Sequence, residues 1–371
     1  MDFFLNDSQR ELAALSRRIL GDRCTPERLR EVEAGGDRFD PALWADLARA
    51  GILAAALPES LGGSGLGLLE QCSVLAEVGR AVAPAPFLAS IVLGAGALAR
   101  FGSPRQQGLA EQTGRGELIL SAALSEDDGD DPGHPSVSAE RAAGRWRLTG
   151  TKTAVPAGQR AGLMLVPAAT STGVTVFLVA PDDPGVATAP QQMVDGDVAG
   201  RIELTGVDLP DERVLGDPAA GAQITGWLQA RGTVGLCAQQ LGTLERALEL
   251  TAEYAKGRQQ FGRPIGSFQA VTQRLADASI DVEAVRLTMW QAAWLLSGGQ
   301  PAETEVATAK FWAADAGHRV AHTAVHIHGG VGIDTDYPLH RYFVAAKRAE
   351  FDLGGATAQL LRIGTALARA D

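Results

Sequence analysis

The sequence predicts an α+β protein in which a β-rich middle separates two helical regions. Apolar residues recur at spacings of three and four up to about residue 118. From there to about residue 217 they alternate, and beyond it the wider spacing returns. Short Gly, Pro, Asp and Ser clusters punctuate the alternating stretch, as turns between strands require. At 371 residues the chain exceeds one small core. Boundaries at the two changes of period give three domains: a helical 1–118, a barrel-like β domain 119–217 and a C-terminal four-helix bundle 218–371.

The elements follow in order. "NDSQRELAALSRRIL" (6–20) is amphipathic, with Asn6 or Asp7 as its N-cap. "DPALWADLARAGI" (40–52) repeats the pattern and stops at a glycine. "LPESLGGSGLG" (57–67) is a loop, and "LLEQCSVLAEVGRAV" (68–82) is helical again. "LILSAAL", "RWRLTGTK", "GLMLVPA", "VTVFLVA" and "GRIELTGVDL" are the strands. Long helices are expected at 223–256, 268–297, 302–328 and 338–350, with a further helical stretch after the joint "EFDLGGATAQ" (350–359).

Composition narrows the class of function. A net charge of −11 argues against nucleic acid or an anionic membrane as the main partner. Hydrophobic content of 46% with 21% charged residues is ordinary for a globular protein. Apolar stretches such as 87–98 are too short to span a bilayer, and the start "MDFFLNDSQREL" lacks the pattern of a signal peptide. Cys24, Cys72 and Cys237 are widely spaced and odd in number, which fits a reducing cytoplasm. Arginine outnumbers lysine 29 to 4, a bias of GC-rich bacterial genomes that says nothing of mechanism.

Two stretches carry chemistry. In "RQQFGRPIGSFQAVTQRLAD" (258–277) a helix ends, turns through Gly262, Pro264 and Gly266, and restarts near Phe268. Arg258 suits a phosphate through two parallel bonds, Phe261 a flat ring, and Gln269 the ring's edge. A plain helical joint with a solvated arginine explains the same residues equally well. In "VHIHGGVGIDTDYPLHR" (325–341) a helix ends in Gly329 and Gly330, which allow backbone N–H groups close to an anion. His318, His322 and His326 share one helix face, but no nearby cysteine or carboxylate completes a metal set, so no metal is expected. "GGSGLG" does not follow a strand in a βαβ unit and is not a dinucleotide fingerprint.

Together these stretches resemble the acyl-CoA dehydrogenase family. Its "R-x-x-F-G" turn with a following Gln, and its "Q-x-x-G-G-x-G" segment before "YP", hold the adenosine and pyrophosphate of FAD. By position these are Arg258, Phe261 and Gln269, then His326 (in place of Gln), Gly329 and Gly330. "LPESLGGSGLGLLE" (57–70) is similar to the family's "PE-x-x-GG-x-G" loop. "ALSEDDGDD" (123–131) stands at its "TEP-x-AGSD" flavin loop, and "WRLTGTKTAVPAG" (146–158) matches "W-x-L-x-G-x-K". The resemblance runs through nearly the whole chain and implies the family's fold, with a helical, a β and a helical domain.

It also exposes departures. Family chemistry removes a proton α to the thioester carbonyl while hydride leaves the β carbon, so a carboxylate must face the flavin across the substrate. Aligning "TAQ" with Thr357, Ala358 and Gln359 puts Gly355 at one base position; the alternative, ahead of Arg231, is Ala230. Glu350 and Asp352 are displaced substitutes, Asp352 being the fallback base. Where the family covers the flavin ring with an aromatic and a Ser or Thr, this chain has Ala154 and Pro156. Asp127, Asp128, Asp130 and Asp131 crowd the flavin loop.

Adenosine-side residues kept and ring-side residues lost imply a subunit of a heteromer, similar to actinobacterial α2β2 enzymes that oxidise CoA thioesters of steroid side chains. The implied partner is a homologous subunit carrying the catalytic Glu, with FAD shared, an acyl-CoA as substrate and electron-transfer flavoprotein as acceptor. Two other readings stay open at this point: a self-sufficient homomeric flavoenzyme using Asp352 or Glu350, and a non-redox binding or scaffold homologue.

Overall fold

The computed structural model describes residues 6–129 and 131–370; of the acidic loop residues, Asp130 lies outside them. Helices α1 (Asp7–Arg23), α2 (Pro26–Ala34), α3 (Pro41–Arg49) and α4 (Leu68–Arg80) come first. Asn6, not Asp7, caps α1: its side chain accepts from the N–H of Gln9 at 2.8 Å, and the Gln9 side chain accepts from the N–H of Asn6 at 3.0 Å. The apolar run from Phe87 winds as a π-helix, Phe87–Ala95, into α5 (Gly96–Phe101), followed by α6 (Pro104–Gly114). Its small residues serve close packing, since a Cβ on Gly94 would lie 2.4 Å from Cβ of Leu120.

The alternating stretch forms β1 (Leu120–Ala122), β2 (Ser138–Ala142), β3 (Arg145–Val155), β4 (Leu163–Thr170), β5 (Gly173–Val179), β6 (Val186–Gln192) and β7 (Val198–Pro210). They make one sheet in the order β1-β4-β2-β3-β7-β6, with β5 added on β4. Alternate residues, among them Trp146, Leu148, Phe177, Ile202 and Leu204, turn inward to a common core. Strands β2 and β6 are not among those the sequence predicts. Most residues of β2 are exposed, and β6 is an exposed edge containing Pro190, so neither carries the apolar alternation by which a half-buried strand is read.

By internal contacts the chain forms two compact units: one comprises the chain up to Arg30, Cys72–Ala83 and everything from Thr233; the other comprises Glu31–Gln71 and Pro84–Gly232. The second holds the sheet. The first is built on α7 (Gly221–Gly257, from Thr233 on), the hairpin β8 (Gln259–Gln260) and β9 (Arg263–Pro264), α8 (Gln269–Ser297), α9 (Glu303–His328), α10 (Leu339–Phe351) and α11 (Ala356–Ala370). Within it α4 and α7 touch backbone to backbone at glycines: a Cβ on Gly79 would meet the Gln239 carbonyl oxygen at 1.8 Å, and one on Gly242 that of Ala76 at 1.7 Å. Around this crossing Arg80 joins Glu245 and Glu249, and Tyr342 donates to the Arg80 carbonyl at 3.0 Å. Among the described residues no helix is long and apolar enough to cross a membrane.

Candidate functional site

Helix α7 runs out at Gly257, where the chain must turn back to start α8. The N–H of Arg258 still donates to Tyr254, and the Arg258 carbonyl accepts from Ile265, both at 2.8 Å, which closes the base of the β8–β9 hairpin. The turn itself is Phe261-Gly262, with φ of +52° and +78°. Glycine takes this left-handed conformation freely, whereas for phenylalanine it costs roughly 1–2 kcal/mol. The Phe261 ring is nevertheless 92% exposed, so burial does not offset that strain. It meets Phe268 edge to face at 6.1 Å, and the Arg263 guanidinium lies 4.2 Å above the Phe268 ring.

Across from this hairpin α9 ends. Gly329, at φ +63° and ψ −141°, occupies a region essentially closed to other residues. Gly330 has nothing within 4 Å of where a Cβ would stand, so its backbone faces open space. Between hairpin and helix end lies a groove of about 630 Å³ bordered by Arg258, Gln260, His326, Gly329, Gly330 and Asp334. No carboxylate among the described residues pairs with Arg258, which leaves its guanidinium available to an anion.

Two further residues bordering the groove, Tyr254 and His328, have no role in the motif reading. The ring of His328 stacks on Tyr254 with centroids 4.3 Å apart and planes at 24°. Its Nδ1 lies 2.8 Å from the Ala324 carbonyl oxygen and its Nε2 3.3 Å from the Tyr337 hydroxyl. Burial lowers the His328 pKa, keeping the ring neutral, so Nδ1–H donates to the carbonyl and Nε2 accepts from Tyr337. Burial raises the Tyr337 pKa and keeps that phenol a donor. The "H-G-G" and "Y-P" of the motif thus meet, though only the fold reveals it.

Four of the six candidate residues, Arg258, His326, Gly329 and Gly330, border this groove. Phe261 stands at the hairpin tip, and Gln269 is the exposed first residue of α8; neither borders it. A guanidinium beside an open glycine backbone suits a pyrophosphate, and a histidine edge suits a ribose or adenine. The residues therefore fit the adenosine end of FAD. His318 and His322 lie in a separate open groove between α8 and α9, which His326 also borders. Their rings are 4.3 Å apart, and His318 Nδ1 is 2.9 Å from Nζ of Lys347. No group of three or more His, Cys, Asp or Glu placed to hold a metal occurs among the described residues.

The two positions that the motif alignment gives to the family's base, 355 and 230, hold glycine and alanine. Gly355 follows a turn in which Leu353 and Gly354 have φ of +59° and +91°. The displaced carboxylates are engaged elsewhere: Glu350 pairs with Lys347 and His318, and Asp352 with Arg348 at 3.2 Å. On α7, Ala230 precedes Arg231, whose guanidinium lies 4.7 Å from the Trp227 ring centre. Buried Cys237 has its thiol pKa pushed up to about 12 and is not a nucleophile.

In the sheet unit, Lys152 of the "G-x-K" stretch and Glu126 of the acidic loop form a buried ion pair at 2.6 Å. Glu126 also accepts from the N–H of Ser136 and, at 3.1 Å, of Val137. Burial raises the Glu126 pKa, but the Lys152 charge and these donors outweigh it and leave the carboxyl below its usual range. Burial lowers the pKa of Lys152 against the opposing pull of Glu126. Both residues stand inside recognisable motifs, but their pairing across 26 residues is not legible from spacing.

Helical regions flanking a β domain, with a groove suited to the adenosine end of a flavin dinucleotide, define a flavoprotein oxidoreductase. Residues 6–109 match the N-terminal domain of acyl-CoA dehydrogenases and residues 221–368 their C-terminal domain. The chain is 51% identical to acyl-CoA dehydrogenase FadE27 of Mycobacterium tuberculosis over 99% of both chains. Its structure is similar to a chain of the ChsE4-ChsE5 complex from the same organism, with a TM-score of 0.95, 51% identity and 99% of each chain covered. It is similar also to a chain of a variant of the Tcur3481-Tcur3483 steroid ACAD, with a TM-score of 0.93, 41% identity and 98% of each covered. The chain belongs to the acyl-CoA dehydrogenase family and has its fold, helical, β and helical in that order. Members are FAD-dependent oxidoreductases acting on a CH–CH bond of an acyl-CoA.

Proposed function

We propose that this chain is the base-lacking subunit of a heteromeric acyl-CoA dehydrogenase that desaturates an acyl-CoA at the α,β position. It binds the adenosine and pyrophosphate of FAD through Arg258, His326, Gly329 and Gly330. Phe261 and Gln269 extend the site toward the partner. A homologous subunit supplies the catalytic glutamate. FAD, when bound, accepts the hydride from the β carbon of the substrate. The observation that carries this reading is a cofactor groove with an unpaired arginine in a chain whose two base positions are Gly355 and Ala230.

The class of substrate follows from the similar chains: a steroid-derived acyl-CoA is proposed because one of them is described as a steroid ACAD. A two-protein complex among the similar structures supports the unlike partner. Electron-transfer flavoprotein is the proposed acceptor. The three-domain division at residues 118 and 217 is proposed as the functional one, with the middle domain facing the partner's half of the site.

The test is flavin stoichiometry. FAD per chain is measured for the purified chain alone and for the chain co-expressed with a homologue that has its glutamate. Little flavin alone, and about one FAD per pair of unlike chains in the active complex, is the expected result. One FAD per chain with turnover in the isolated protein overturns it.

A further inference from the structure

The groove beside Arg258 has two walls from distant parts of the chain, and one buried histidine touches both. The first wall is the end of α7, where the N–H of Arg258 donates to the Tyr254 carbonyl one helical turn back, at 2.8 Å. The second is the end of α9, where His328 immediately precedes Gly329 and Gly330. His328 is 4% exposed, and its ring stacks on that of Tyr254 at 4.3 Å. The Tyr254 hydroxyl in turn donates to the His328 carbonyl across a long 3.5 Å. The N–H of the same peptide, that of Gly329, donates to the Val325 carbonyl. The peptide leading into the glycine pair is therefore held at both of its polar ends.

The same ring closes the loop that follows. From Gly329 to Tyr337 the chain turns back on His328. A Cβ on Gly332 would lie 3.1 Å from Cβ of His328, and the Tyr337 hydroxyl reaches Nε2 at 3.3 Å. Nδ1 is bound to the Ala324 carbonyl at 2.8 Å, so both ring nitrogens are engaged while Tyr254 covers one face. The imidazole has no hydrogen-bonding atom left to offer a ligand. His326, two residues earlier, is exposed and borders the groove, so it is the histidine that a ligand can meet. His328 acts through its neighbours.

We infer that His328 is a positioning residue: stacked on Tyr254 and bonded to Tyr337, it sets the spacing between Arg258 and the Gly329–Gly330 backbone. The inference rests on the shared-cofactor reading and adds to it how the two walls come to act as one site. A pyrophosphate can be gripped from both walls only where their spacing matches it. Fixing that spacing before binding spares the complex the cost of ordering the walls around the ligand.

The test is a double-mutant cycle read in the FAD dissociation constant of the assembled complex. Arg258→Ala should raise that constant at least tenfold with His328 in place. In a His328→Leu background the factor should be smaller by about threefold or more, as for groups that act together. A loss as large or larger in that background would show that His328 supports only the fold, and it overturns the inference. No loss from Arg258→Ala in either background overturns the shared-cofactor reading instead, so the two failures are distinguishable. Tyr337→Phe, which removes a single hydroxyl, carries the same cycle where His328→Leu does not assemble. There too a smaller factor is expected, and strict additivity overturns the inference.

Discussion

The ammonium of Lys310, with no exposed surface, donates to the carbonyl oxygen of Ala349 at 3.0 Å. A second bond goes to the carbonyl of Glu350 at 3.2 Å. From the other side the buried amide of Gln359 donates to the carbonyls of Leu353 and Gly354 at 3.1 and 2.9 Å. Two buried donors thus satisfy four carbonyls where α10 ends, and they hold the segment that carries Gly355. Lys310→Met leaves two of those carbonyls without a donor and should lower stability by about 2 kcal/mol at neutral pH in urea unfolding. Burial lowers the Lys310 pKa below its ordinary 10.5, so between the two values the unfolded chain binds more protons than the folded one. Wild-type stability therefore rises with pH across that window through this group. The gap to Lys310→Met should widen there, and a gap independent of pH would contradict the assignment.

Glu126 gives the opposite pH signature. Its folded pKa lies below the ordinary 4.5, so its contribution is present above that value and is lost as pH falls through the folded pKa. Glu126→Gln should cost roughly 3–5 kcal/mol at neutral pH, since it leaves the fully buried Lys152 charge without its partner. In acid the two proteins should converge. Denaturant unfolding at a series of pH values checks this; a constant difference would refute it.

Gly329 and Gly330 separate stability from binding. Gly329→Ala forces a Cβ into φ +63°, ψ −141° and should destabilise the chain by about 1–3 kcal/mol. Gly330→Ala meets no atom within 4 Å and should leave stability within about 0.5 kcal/mol. In the assembled complex it should still weaken FAD binding, because the added methyl occupies the space the cofactor approaches. Thermal unfolding and flavin titration of both variants decide it.

What the sequence revealed divides by the range of the interaction. The change of period near residue 118 and the "R-x-x-F-G" and "H-x-x-G-G" segments were legible because each is local, set by a few consecutive residues. The exposed strands β2 and β6 were not: each pairs with the strand that follows it, but nearly all their outward residues meet water, so neither carries the apolar alternation that marks a half-buried strand. The His328–Tyr254 stack and the Lys310 clamp join residues 74 and 39 apart. Only packing of α7, α9 and α10 brings such pairs together.

Arg258→Ala, made in the assembled complex, should raise the FAD dissociation constant about tenfold to a hundredfold, the range expected for loss of a charge-assisted pair. Arg258→Lys should fall between, since an ammonium keeps the charge but not the two parallel donors. Unfolding midpoints without FAD should stay at the wild-type value, because no carboxylate of the described residues depends on Arg258.

Asp352→Asn addresses the reading in which this chain carries its own base. Asp352 accepts from Arg348 at 3.2 Å and is about one-third exposed, and Glu350 is held by Lys347 and His318. A base must reach the α proton of a bound thioester, and a carboxylate already paired with a guanidinium one helical turn away must first give that bond up. Asp352→Asn and Glu350→Gln should therefore leave kcat of the assembled complex within about twofold, with stability changes of no more than about 1 kcal/mol. Removing a working general base costs on the order of a hundredfold or more. A loss of that size in either variant, with FAD content unchanged, would place the base on this chain.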